Sequence, residues 1–305
     1  MRRRDPAQGG DRLHPRPARQ SLRAGPITRK PRPATLSALA IDSPGAFAIA
    51  ADVRRTVPLT IRQRALITAH ADIVGSLLRP AELLRAQKQL AAGAIGKGEF
   101  KAVEDRAVDQ AVALQESLGL EVVTDGEMRR QSFQSQMTAA VSGFGEFDLG
   151  AFLWGEWYDE KGVEKKRRPG QLGAVAKLER LRYLSADEFS YLQSKTSRIP
   201  KIAIPSAGLW ANFWSPKYSR EVYPTLDSFL GDIVAILRDE VTELVRLGAR
   251  YIQIDAPHYG ILLDPKTRSF YERLGWSLKK WLRLGVEMDN AVSEGFTDVT
   301  FGLHV

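Results

Sequence analysis

The chain has 305 residues, 44% of them apolar, enough to fill the core of one large α/β domain or two small ones. No run approaches the ~18 apolar residues of a membrane span, and the N-terminus carries no signal-type apolar stretch, so a cytoplasmic protein with no membrane partner is expected. The formal charge of +8 is concentrated in residues 1–34, where nine arginines and Lys30 face only Asp5 and Asp11; the remaining body is neutral, and no nucleic-acid partner is expected for it. Cysteine is absent, which excludes disulfides, thiolate nucleophiles and cysteine-held zinc within these residues.

Residues 1–60 are rich in Arg, Pro, Gly and Ala, with six prolines in the first 34 positions and no sustained hydrophobic period, and are expected to form a disordered basic tail. Folded character begins near Ala65 with a strand leading into the Gly75-Ser76 turn, and Pro80 suits the first turn of a helix. Three-to-four spacing of Leu83, Leu84, Gln87 and Leu90 predicts a helix over 81–92. Phe100, Val103, Ala107, Ala111 and Leu114 predict a second over 98–118, ended by Gly119. Leu120 to Glu127 is a second short strand, ending in the acids of Asp125-Gly126-Glu127. Residues 128–200 are expected to be an irregular connection with one helix near 185–196, long enough to cover a site or reach a partner.

Pro200 to Ser206 predicts a third strand. A long amphipathic helix follows from Thr225 to Leu247, with Thr225 as its cap and Gly248 as its stop. The Tyr251-Ile-Gln-Ile-Asp255 run is a fourth strand, halted by Pro257; its terminal Asp255 is a ligand-binding acid or a cap of the next turn. A helical stretch over 265–295 is broken near Gly275, and Thr297 to Val305 predicts a fifth strand. Strands alternating with helices, each strand tip carrying polar residues, define a parallel α/β protein. With no G-x-G-x-x-G after the first strand, a (β/α)8 TIM-type barrel fits better than a doubly wound sheet. About five of its eight strands are present, so residues 61–305 are expected to be a partial barrel domain.

Four segments in order resemble the cobalamin-independent methionine synthase family, its catalytic C-terminal barrel and its shorter single-barrel relatives. They are Ala71 to Pro80, Gly119 to Arg130, the set Ile204 to Trp210 with Val222-Tyr-Pro224 and Arg238 to Asp255, and Gly302 to Val305. The resemblance implies an S-methyltransferase acting on two small-molecule partners, the thiol of homocysteine and a folate-type donor, 5-methyltetrahydrofolate. It implies that zinc binds and deprotonates the thiol, as coordination generally does. Transferred by position, Ser76 meets the amino-acid carboxylate, Glu127 and Asp255 hold its ammonium, and His304 is a zinc ligand. Trp210, Phe213 and Trp214 are candidates for packing a pterin ring, with a core role as the other reading of each.

The chain departs from the family pattern at Ile73, where short relatives usually have His, and at Ala256, where long synthases have Glu. The cysteine and glutamate ligands expected with His304 would lie beyond Val305, so the resemblance implies a truncated member that binds zinc poorly and has little activity. Three alternatives stand beside it: alkyl transfer to another small thiol such as coenzyme M, a metal-free barrel of the uroporphyrinogen decarboxylase kind, and a non-catalytic fragment. In the coenzyme M case Arg129 or Arg130 would hold the sulfonate, although both could equally be surface residues pairing with the preceding helix.

Overall fold

The computed structural model describes residues 71–131, 135–146, 157–158, 164–165, 172–273 and 275–305. The tail expected over 1–60 and the start of the first expected strand, residues 65–70, lie outside them. In chain order the elements are α1 (Ala81–Ala91), α2 (Lys97–Ser117), β1 (Val122–Val123), α3 (Ser135–Ala140), β2 (Val141–Glu146), β3 (Trp157–Tyr158), β4 (Glu164–Lys165), β5 (Leu172–Arg180), α4 (Ala186–Lys195) and β6 (Ile199–Pro205). A 3-10 helix (Ala207–Phe213) leads to α5 (Leu226–Arg246), β7 (Tyr251–Asp255), α6 (His258–Ile261), α7 (Pro265–Arg273), α8 (Leu278–Ser293) and β8 (Thr300–His304).

The central sheet is parallel and four-stranded, in the order β1-β6-β7-β8. Each strand lies beside the one before it in that order, without the reversal that marks a doubly wound sheet, and helices cover the connections. Of the expected partial barrel, the described residues form a parallel wall of four strands. The strand predicted to lead into Ser76 begins outside the described residues, and its described part, within residues 71–80, runs irregularly. The physical reason is local. The carbonyls of Ile73 and Val74, which a strand would offer to a neighbour's backbone, instead accept side-chain hydrogens from Lys201 and Gln253.

Strand alternation divides the sheet's two faces. Ile202, Ile204, Ile252 and Ile254 share a core with Phe229, Leu230, Ile233, Leu237, Val241 and Leu244 of α5. Burying each such side chain contributes about 1.5–3 kcal/mol. The helix start is set by a reciprocal cap, Thr225 Oγ1 accepting from Ser228 N while Ser228 Oγ accepts from Thr225 N. On the opposite face Lys201, Ala203, Gln253, Asp255, Gly302 and His304 stand in neighbouring register, Ala203 beside Gln253, Gln253 beside Gly302 and Asp255 beside His304.

The stretch expected to be irregular contains a second sheet. β2 and β5 form an antiparallel ribbon with a register shift between Ser142 and Phe144, and β3 pairs with β4. The ribbon places Phe144 against Trp210 and Phe213, at ring-centroid separations of 6.2 and 5.3 Å.

Lys201 is fully buried at the inner face of β6, and its ammonium donates to Asp72 Oδ2 (2.9 Å), Ile73 O (2.5 Å) and Gln253 Oε1 (2.8 Å). All three of its hydrogens are thus engaged. Lys201→Met strands three acceptors around a methyl group, and removing one member of such a buried pair costs about 3–5 kcal/mol. Urea unfolding is expected to show that loss; a midpoint unchanged from wild type would contradict it.

Candidate active site

The first half of the site is the turn after β1. Gly126 and Glu127 both have positive φ, 65° and 54°. For glutamate this left-handed backbone costs about 1 kcal/mol and needs outside support. That support comes from three sides. Asp125 Oδ1 accepts from Glu127 N (2.9 Å), Gly126 O accepts from Leu77 N (3.0 Å), and Arg79 donates to the carbonyls of Glu127 and Arg130. The turn aims the Glu127 carboxylate at the entry segment, where it accepts a short hydrogen bond from Ser76 Oγ. Gly75 lies against the same carboxylate; a Cβ there would sit 3.2 Å from Oε1.

Behind Glu127 lies one buried cation shared among three buried acids. Arg130 donates from Nε to Glu188 (2.9 Å), from Nη1 to Glu127 (3.4 Å), and from Nη2 to Ser185 Oγ (3.2 Å) and Ala203 O (3.0 Å). Burial pulls its pKa down, and Glu188, Glu127 and Asp125 reverse that, so the net shift is upward. Asp125 is pushed up to about 6, chiefly by burial and then by the Glu188 charge, against the pull of Arg130; its Oδ2 has no partner. Ser185 is held in turn by Glu240 of α5, whose carboxylate accepts from the backbone N–H of Leu184 (2.6 Å) and Ser185 (2.8 Å).

The second half is the tip of β7. Asp255 is 5% exposed and accepts from Gln253 Nε2 (2.6 Å); His304 Nδ1 lies 3.0 Å from the same oxygen. Gln253 also donates to Val74 O (2.6 Å), and Val74 is two residues from Ser76. A continuous hydrogen-bonded and covalent path therefore joins the two acids: Asp255, Gln253, Val74, Gly75, Ser76, Glu127. The structure brings Ser76, Glu127, Asp255 and His304 onto this one path. Carboxylates outnumber cations along it, so a positively charged ligand group is favoured there.

The remaining expected residues are occupied elsewhere. Arg129 pairs with Glu104 and Asp105 of α2 and stacks on Tyr191, the surface-pairing role. Arg130 has its N–H groups engaged inside the molecule. Trp210, Phe213 and Trp214 are 0%, 8% and 4% exposed within the core, and Trp214 Nε1 donates to Tyr223 O. These three take the core role.

For zinc, His304 is met by Asp255, and no group of three or more His, Cys, Asp or Glu capable of holding a metal occurs among the described residues. One imidazole and one carboxylate do not make the four-coordinate donor set zinc takes, so the residues present do not fit it.

Lys201, Gln253, Glu188 and Ser185 escaped the sequence reading. For the first two a signal was available. Each is a polar residue in an otherwise apolar strand at an inward position, and period two puts both on the face that carries Asp255. Glu188 and Ser185 lie on and before a helix far away in sequence, and nothing local marks them. His258, three residues past Asp255, is also buried and neutral. Burial pushes it down to about 3, and its ring lies on Gly208 so closely that a Cβ there would come within 2.4 Å of Nε2.

A parallel α/β wall with converging acids at the carboxyl ends of its strands is an enzyme-type ligand site. Residues 66–293 match the family described as cobalamin-independent synthase, catalytic domain, and the chain belongs to that family. It is 34% identical over 188 residues to the methionine synthase of Pyrococcus abyssi, covering 61% of this chain and 51% of that protein. It is 30% identical over 230 residues to the 5-methyltetrahydropteroyltriglutamate–homocysteine methyltransferase of Thermosynechococcus vestitus, covering 74% of this chain and 29% of that one. Among solved structures, the putative vitamin-B12 independent methionine synthase of Listeria monocytogenes superimposes with a TM-score of 0.59 at 19% identity, over 79% of this chain and 66% of that one. The chain thus spans about half the length of the Pyrococcus protein. His304 lies outside the matched span, and no helix among the described residues is long and apolar enough to cross a membrane.

Two opposite pH dependences follow. Asp125 binds its proton more tightly when folded, so the stability it contributes is full below about pH 4 and is lost as pH rises through about 6. The contribution of His258 is full above about pH 6.5 and is lost as pH falls toward about 3. Relative to wild type, Asp125→Asn is expected to gain stability as pH rises from 4 to 6.5, and His258→Asn to lose it over the same range. Denaturation midpoints across that range check both, and a flat difference for either variant contradicts its assignment.

Proposed function

We propose that this chain carries the amino-acid-binding part of a thiol S-methyltransferase site, with homocysteine as acceptor and a 5-methyltetrahydrofolate-type compound as donor. The observation that carries the reading is the linked pair Glu127 and Asp255, joined through Ser76 and Gln253 at the carboxyl ends of parallel strands. Both carboxylates are about 95% or more buried and share too few cations, so an ammonium between them supplies the missing positive charge. Ser76, exposed at the mouth, meets the carboxylate of the same ligand by turning its one O–H from Glu127 toward it once the ammonium engages Glu127.

In this reading the chain's own residues bind and orient. Arg130 holds Glu127 in place from behind while Glu188 and Ser185 hold Arg130. Fixing the amino acid sets where its thiol projects, and such positioning accounts for a large share of rate in a two-substrate transfer. Zinc belongs to the family expectation, with His304 as this chain's candidate ligand. The donor set here does not complete a zinc site, and no step is routed through the metal. The coenzyme M alternative is less well supported, because both arginines suited to a sulfonate are engaged. A cytoplasmic location accords with these small-molecule substrates.

Calorimetric titration with L-methionine, the thioether product, tests the reading. Wild type is expected to bind it, with Glu127→Ala and Asp255→Ala each weakening affinity at least about 10-fold, the equivalent of 1.4 kcal/mol. Unchanged affinity in both variants, or tighter binding of 2-mercaptoethanesulfonate than of methionine, would sink the proposal.

A further inference from the structure

A further buried carboxylate near the strand tips, Asp289 of α8, plays no part in the amino-acid site described above, and no lysine or arginine pairs with it among the described residues. It is 7% exposed. Oδ1 accepts from Ser206 Oγ (2.7 Å) and Oδ2 from Tyr259 Oη (2.9 Å), and the Ala207 N–H also points to it. All three donors are neutral. They come from the segments that leave β6 and β7, so one side chain on α8 ties both strand exits together.

Those exits bear on Asp255 directly. Ser206 is the first residue past β6, and its backbone N–H donates to the Asp255 carbonyl (2.9 Å), extending the β6–β7 ladder by one bond beyond the sheet. On the other side Ala256 N donates to His304 O (2.7 Å). The height and rotation of the Asp255 tip are therefore set by Ser206 on one flank and β8 on the other. Ser206 has two anchors of its own: its hydroxyl caps Gly208 N (3.2 Å) and binds Asp289. A buried, unpaired carboxylate is a costly way to hold a loop, and burial does raise the Asp289 pKa. An apolar residue would hold the loop less expensively if packing alone were required.

We infer that Asp289 is a positioning residue for amino-acid recognition, acting through the Ser206 hydroxyl and backbone to hold Asp255 at the height where it meets the ligand ammonium. Tyr259 anchors the opposite oxygen of Asp289 but makes no bond to Ser206 or Asp255. Its ring fills the notch at Gly285, where a Cβ would come within 2.8 Å of Oη. Tyr259 is thus a structural control within the same network.

The inference rests on the proposed amino-acid site, and the experiment separates the two. L-methionine affinity and thermal stability are measured on the full chain for wild type, Asp289→Ala, Ser206→Ala, Tyr259→Phe, Asp255→Asn and the Asp255→Asn/Asp289→Ala double variant. Asp289→Ala and Ser206→Ala are each expected to weaken binding about 10-fold. Tyr259→Phe should lower the melting temperature with less than about a 2-fold change in affinity. In the Asp255→Asn background Asp289→Ala should have little further effect on affinity, since two residues acting on one contact are not additive. Full additivity of the two substitutions, or an affinity loss for Tyr259→Phe as large as that for Ser206→Ala, would reduce Asp289 to a structural role. If Asp289→Ala does not fold, Ser206→Ala decides alone, and unchanged methionine affinity in it overturns the inference. Failure of wild type to bind methionine overturns the amino-acid site and this inference with it, whereas binding that depends on Asp255 but not on Ser206 or Asp289 overturns only the inference.

Discussion

One buried ammonium organises the inner face of the sheet. Lys201 has no exposure, stands in the middle of a strand, and spends its three hydrogens on an acid, a carbonyl and an amide. Two of those acceptors belong to the irregular segment that enters the fold, and the third is Gln253, which itself reaches back to that segment and forward to Asp255. Over residues 71–80 the entry segment forms no ladder, so these side-chain bonds seat its first residues, as Leu77 and Arg79 seat its last. Removing the lysine frees the Asp72-Ile73 end of the segment, and the bonds of Ser76, Leu77 and Arg79 to the Gly126-Glu127 turn are left to hold it alone.

The site has a consistent charge logic. Each half is over-supplied with carboxylate: Asp125, Glu127 and Glu188 around one arginine, and Asp255 against an amide and an imidazole. The protein contains the resulting repulsion in two ways. Asp125 takes up a proton near pH 6, and Arg130 is locked by a hydroxyl and a carbonyl so that it cannot swing toward one acid at the expense of another. What remains is a negative potential facing the entry segment, open on the side where Ser76 is exposed.

Legibility in the sequence followed locality. Helix α5 and strand β7 were readable because cap, stop glycine, apolar period and terminal acid all fall within thirty residues and agree. The helices before and after Gly275 were readable for the same reason. The β2–β5 ribbon was not. Its partners are separated by a long insertion, two glycines interrupt the apolar alternation of β2, and a register shift breaks the pairing. The strand expected before Ser76 is not formed over residues 71–80, where tertiary side-chain bonds claim the carbonyls of Ile73 and Val74; its earlier part lies outside the described residues. At the site, the acids were visible as strand tips, but the residues that aim them were not. Glu188, Ser185, Glu240 and Asp289 act across 50 residues or more, and no spacing rule reports that.

The left-handed turn at Gly126-Glu127 has a consequence for how this chain can change. Glycine at 127 would relax the backbone, relieve a crowded set of like charges and leave Arg130 still paired with Glu188, so folding would tolerate the exchange well. The same exchange deletes the acid that faces Ser76. Laboratory evolution selected on heat resistance alone would therefore drift toward loss of this acid, and an alignment built from such survivors would hide the residue on which the proposed recognition depends.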